Sequence, residues 1–209
     1  MNLFTLLLIF HIAAGGISLL TGSIVMLLKK GDKAHRTIGK IYFYSLLLAS
    51  IVSFPMAYLH PNWFLFIIGV FTSYMLLTGN RYIQRKNIEQ VSIYDWILAI
   101  TMLIFGLGFV TTGISQIYHG TYFGIVLLVF GLISIAFVAQ DWQNFKGNSA
   151  IKNFGLTTHL QRMIGSYIAS ATAFLVVNNT ILPGVIAWLL PTVILTPLIF
   201  WWTKRYMIL

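Results

Sequence analysis

The sequence predicts an all-α transmembrane bundle of seven helices, on three observations. Hydrophobic residues fill 58% of the 209 positions and charged residues only 8%, a balance that suits lipid rather than water as solvent. The apolar residues come in long unbroken runs, and a bilayer-crossing helix needs roughly 20 of them. Runs this long and this continuously apolar do not show the alternation that a membrane β-barrel requires.

Seven spans follow, at about 3–28, 38–59, 63–80, 94–117, 121–141, 160–179 and 183–203. Lys29, Lys30 and Lys33 come after the first apolar run instead of before it, so it reads as a retained membrane helix rather than a secretory signal. Pro55 in the second span, and Pro191 and Pro197 in the last, are kinks that a membrane helix tolerates. Small residues recur at packing intervals: His11, Gly15, Ser18 and Gly22 in the first helix, Gly108, Thr112 and Ser115 in the fourth, and Gly165 and Ala169 in the sixth. Such stripes let helix backbones approach closely in lipid. Tyr58, Trp63, Tyr118, Trp142 and Trp201 fall near span ends, where an aromatic belt sits. The longest polar stretch, 140–158, has the length of a loop, so residues 1–209 read as a single membrane domain.

The formal charge of +9 would suit nucleic acid if it were clustered on a soluble surface, but its placement has another meaning. With seven spans, all thirteen Lys and Arg fall on one side: Lys29, Lys30, Lys33, Arg36 and Lys40, then Arg81, Arg85 and Lys86, then Lys146, Lys152 and Arg162, and finally Lys204 and Arg205. The positive-inside rule makes that side cytoplasmic, with the N-terminus outside and the C-terminus inside, as in a multi-pass protein of the plasma (bacterial inner) membrane. Orientation and contact with anionic lipid headgroups account for the charge without nucleic acid. All four acids, Asp32, Glu89, Asp95 and Asp141, share that side, while the outer turns carry no charged residue. A receptor for a large external ligand is therefore disfavoured. The absence of cysteine excludes disulfides and thiol chemistry.

Two stretches at the inner face pose the functional question. "HRTIGKIY" begins at His35 and "HLQRMIGSY" at His159, each with a histidine ahead of an Arg-x-Ile-Gly core where a basic loop meets an apolar run. Arg36 and Arg162 at two parallel helix N-termini would frame an anion site, since free backbone donors and guanidinium groups both favour phosphate or carboxylate. Contact with anionic lipid, or pairing of Arg162 with Asp141, accounts for the same residues without a ligand. His35 and His159 are candidate cofactor ligands. With Asp141 they would offer a transition metal such as iron or zinc two imidazoles and a carboxylate. Alone, they would hold a b-type haem from opposite faces. His11 stands apart, deep in the first helix, and an ionisable group there is a candidate proton or substrate site. A neutral, hydrogen-bonded imidazole is the plainer alternative.

The stretches "GDKAHRTIGKIY", "YMLLTGNRYI" and "HLQRMIGSYIASATAFLVVN" together resemble a bacterial family of membrane proteins catalogued as domain of unknown function 2306. The resemblance runs from His11 to about Pro197 and implies a polytopic fold in which His11, His35, Arg36, Gly39, His159, Arg162 and Gly165 belong to the family pattern. It implies no particular chemistry. Seven helices with inner-face His, Asp and Ser also resemble membrane zinc hydrolases related to ceramidases and adiponectin receptors, although their His-x-x-x-His pair is absent. The leading expectation is a small-ligand or cofactor site at the cytoplasmic ends of helices two, five and six. The alternatives are a transporter using His11, a zinc hydrolase acting on lipid, and a structural or assembly protein.

Overall fold

A computed structural model describes residues 2–85, 90–147 and 153–207. Lys86, Glu89 and Lys152 lie outside them. The chain forms α1 (Leu3–Leu27), α2 (Lys33–Leu59), α3 (Trp63–Gln84), α4 (Ile93–Tyr118), α5 (Phe123–Phe145), α6 (Phe154–Asn178) and α7 (Gly184–Met207), with no strand among the described residues. Six of these helices are long and apolar enough to cross a membrane. The other, α3, carries Thr72, Ser73, Thr78, Asn80 and Arg81 from its middle onward. It packs chiefly against α6 and α2, and its Arg81 pairs with Asp95 on α4. The seven-helix membrane bundle expected from the sequence is thus the architecture observed.

Local chemistry sets the helix ends. Asn2 Oδ1 accepts from the Thr5 amide at 2.8 Å and opens α1, and Asp32 Oδ1 accepts from the His35 amide at 2.6 Å and opens α2. Between them Gly31, at φ +83°, takes the left-handed turn that reverses the chain. Antiparallel hairpins α1–α2 and α4–α5 flank a central α3–α6 pair, and α7 lies on α6. Phe71, Phe130 and Trp188 anchor the core through edge-to-face contacts at 5.1 and 5.9 Å between ring centroids. Tyr58, Trp63, Tyr118, Trp142 and Trp201 all point outward from the bundle ends, as a belt would.

Several expectations need correction. Five helices run past the apolar limits: α2 begins at Lys33 rather than 38, α6 at Phe154 rather than 160, α3 reaches Gln84, α5 reaches Phe145 and α7 reaches Met207. Hydropathy marks the part a helix exposes to lipid, whereas backbone hydrogen bonding continues through the polar turns beyond it. Two packing stripes also shift. Gly15 and Gly108 face open space, with nothing within 4 Å of where a Cβ would sit. The close approach of α4 to α5 is made by Gly106, Gly113, Gly124 and Gly131 instead: a Cβ on Gly131 would lie 2.9 Å from the Gly106 carbonyl oxygen. Gly165 and Ala169 do face inward, Gly165 against Met75 and Ala169 almost fully buried.

Gly131→Leu is therefore expected to separate α4 from α5 and cost about 1–3 kcal/mol, the usual range for overpacking. Gly108→Leu should leave stability close to wild type. Thermal unfolding of the two variants in detergent checks the contrast.

Candidate functional site

The starts of α2 and α6 lie at the same Lys-rich end, and a cavity of about 730 Å³ lies between them. His35 in the first turn of α2 and His159 in the second turn of α6 both line it. α2 also supplies Lys33, Arg36 and Lys40, the α1–α2 turn supplies Lys30, and no Asp or Glu is found among the described lining residues. Lys33, Arg36 and Lys40 are exposed at the mouth. Lys30 closes α1: its Nζ donates to the Val25 and Met26 carbonyls at 3.1 and 2.7 Å and stands 4.2 Å from the Trp202 ring centroid. A cation there complements the negative end of the helix dipole. Burial pulls its pKa below the usual lysine value.

Deeper in, the lining turns apolar and aromatic, with Val25, Met26, Phe43, Leu160, Met163 and Ile164. Tyr42 and Tyr167 meet at its depth, their ring centroids 6.5 Å apart. The Tyr42 hydroxyl lies 2.7 Å from Ser166 Oγ and the Tyr167 hydroxyl 2.7 Å from Ser23 Oγ, so each ring is held across to another helix. Gly22 leaves the room for both: a Cβ there would lie 2.5 Å from Tyr167 and 2.9 Å from Tyr42.

The histidines differ in their contacts. His159 Nδ1 donates to the Gly79 carbonyl at 2.9 Å, which fixes the ring against α3 and leaves Nε2 as its free nitrogen. His35 Nδ1 is buried without a partner.

The two arginines do not share this site. Arg162 lies in the third turn of α6, beyond the free backbone donors of the helix start, and faces away from the cavity. It is completely buried and pairs with Asp141 at 2.8 Å. The same Nη2 donates to the Phe137 carbonyl at 2.9 Å, and the guanidinium stacks 4.0 Å from the Phe137 ring centroid. Asp141 also accepts from the Tyr74 hydroxyl, and from Tyr82 at 2.9 Å. Asn144 donates to the Tyr82 oxygen at 3.2 Å. The expected Arg36–Arg162 anion site is therefore not assembled, because α6 turns Arg162 toward α5.

The expected trio of His35, His159 and Asp141 does not gather either. Among the described residues no three His, Asp or Glu side chains stand where they could hold a metal ion. Asp141 already accepts from three side chains on the far face of α6. His11 lies outside the cavity, its Nδ1 donating to the Ala49 carbonyl at 2.9 Å across the α1–α2 contact.

A second ion cluster ties α3 to α4. Asp95, in the first turn of α4, accepts from its own Ser92 amide at 2.9 Å and pairs with Arg81 at 2.9 Å and Arg85 at 2.7 Å. Arg85 stacks 4.7 Å from the centroid of Tyr82, which joins this cluster to the Asp141 network. Sequence reasoning missed Tyr42, Tyr167, Tyr74, Tyr82, Lys30 and Trp202. Tyr42 and Tyr167 close the two quoted stretches, so a signal for them was present. No family model, curated protein or solved structure matches the chain.

Arg162→Ala should leave Asp141 as an uncompensated buried charge and cost about 3–5 kcal/mol, while an Asp141→Leu/Arg162→Met pair should recover most of the loss. Unfolding midpoints of the single and paired variants measure this directly.

Proposed function

We propose that this integral membrane protein binds the anionic head of an amphiphile in the cavity between α1, α2 and α6. The reading is carried by one observation: four cationic side chains and two histidines line the cavity, and no carboxylate stands among its described lining residues. A cavity so biased favours an anion at its mouth, where Lys33, Arg36 and Lys40 are exposed. The apolar and aromatic depth suits a hydrocarbon chain, with Tyr42 and Tyr167 setting how far it reaches. With this end cytoplasmic, as its lysines imply, the mouth faces the inner leaflet.

Three probes separate the sources of such a head. 1-Decanesulfonate carries both charge and chain, methanesulfonate the charge alone and 1-decanol the chain alone. Calorimetric titration of the detergent-solubilised protein is expected to show decanesulfonate binding at least about tenfold tighter than either, a difference of about 1.4 kcal/mol or more. Arg36→Gln/Lys40→Gln should remove most of that preference. Equal binding of decanol would contradict the reading. Equal binding of methanesulfonate would make the occupant a free anion.

One observation favours a second occupant. An imidazole tied through Nδ1 to a backbone carbonyl, as His159 is, has the orientation of a metal-bound histidine. With His35 it would hold a b-type haem or a single transition-metal ion. Stoichiometric iron with haem absorbance in purified protein, lost in His35→Ala/His159→Ala, is the result that reading requires.

A further inference from the structure

Resting on the anion-binding reading above, we propose that anion binding in this cavity is coupled to proton uptake by the His35–His159 pair. Both histidines line the one cavity, and each has a ring nitrogen placed to take a proton. His159 commits Nδ1 to the Gly79 carbonyl and keeps Nε2. His35 Nδ1 is buried and has no partner.

The groups facing the pair come from every surrounding element. The α1–α2 turn contributes Lys30, and α2 contributes Lys33, Arg36 and Lys40 as cations with Tyr42 and Tyr44 as phenols. α3 offers Asn80 and Gln84, neither of which titrates, α6 adds Tyr167, and α7 adds Trp202. Asp32, which caps α2, acts on His35 through its charge, while its Oδ1 accepts from the His35 amide and it stands outside the lining. Without an anion, an imidazolium in the cavity therefore meets cations on its own side and no carboxylate among the described lining residues. A bound anion supplies the missing negative charge. The proton and the anion each lower the cost of the other, and by linkage the coupling acts equally in both directions.

The sign follows. Burial holds both histidines below the usual imidazole value in the free protein. Anion binding raises their proton affinity in the complex, so binding tightens as pH falls through the range in which they take up a proton. Well above that range both states are neutral and affinity is flat. Lipid-like anions would then be held at acidic pH and released as pH rises.

1-Decanesulfonate suits the test because its charge does not change between pH 5.5 and 8, a window of the experimenter's choosing about 6.5. Its affinity for the wild-type protein is expected to rise by about three- to tenfold on going from the upper to the lower end of that window. Titrations at pH 6.5 in two buffers of different ionisation enthalpy should show fractional proton uptake, approaching about one per anion bound. His35→Gln/His159→Gln should show neither the rise in affinity toward the lower pH nor the proton uptake. Wild-type binding without proton uptake would overturn this coupling and leave the anion site standing. No binding at any pH would overturn the anion site itself. Because the uptake is read on the wild-type protein, a variant that fails to fold does not decide the outcome.

Discussion

An arginine buried in the membrane-spanning part of a bundle has to be answered by a charge and by hydrogen bonds, because removing an ion from water costs several kcal/mol even after relaxation, to order of magnitude. Arg162 is answered by Asp141, by the Phe137 carbonyl and by an aromatic face, and Asp141 in turn by Tyr74 and Tyr82. Those partners come from α3 and α5 and the arginine from α6, so the bonds made through its Nη2 tie three helices to one another, while Nε and Nη1 are buried without a partner. With the Arg162 face of α6 held against α5, the His159 face is left toward α2. The cavity exists on the near side of α6 because the ion pair occupies the far side.

Packing completes the enclosure. Gly79 lets α3 approach α6 so closely that a Cβ there would lie 2.9 Å from Arg162 Cβ, which brings the Gly79 carbonyl within reach of His159. Gly22 admits the two tyrosine rings, whose hydroxyls bridge α2 to α6 and α6 to α1. α2 and α6 are otherwise spaced apart, and the volume between them stays unfilled by side chains. The result is a cavity whose mouth is charged and whose depth is apolar, with Tyr42, Tyr167 and His159 hydrogen-bonded in its wall and His35 Nδ1 buried without a partner.

Much of the fold was legible because lipid imposes a plain rule: long apolar runs become helices, and basic residues gather at one end. The exact helix limits were not legible, since Lys33 and Phe154 begin helices in polar sequence that hydropathy cannot distinguish from loop. The repeated His-Arg pattern was half informative. Both histidines reach one cavity, but Arg36 follows its histidine directly while Arg162 comes three residues later. On a helix, three residues is most of a turn, and which neighbour that face meets is decided by tertiary packing rather than by spacing. Asp141 read as a ligand for the same reason: its depth was visible in sequence, its facing was not. Tyr42 and Tyr167 were passed over because spacing does not show that their hydroxyls reach Ser166 and Ser23 on other helices.

The central claim is that the two histidine walls face each other across one space while the adjoining face of α6 is turned away. The chain has no cysteine, so introduced thiols can be read without background. A short bis-maleimide applied to His35→Cys/His159→Cys is expected to link α2 to α6. The same reagent on His35→Cys/Gln161→Cys should not, because Gln161 accepts from Gln140 on α5 at 2.9 Å. Cross-linking of the first pair and not the second would bear the account out. Cross-linking of the second pair alone would contradict it, placing the His159 face of α6 away from α2 and dissolving the cavity.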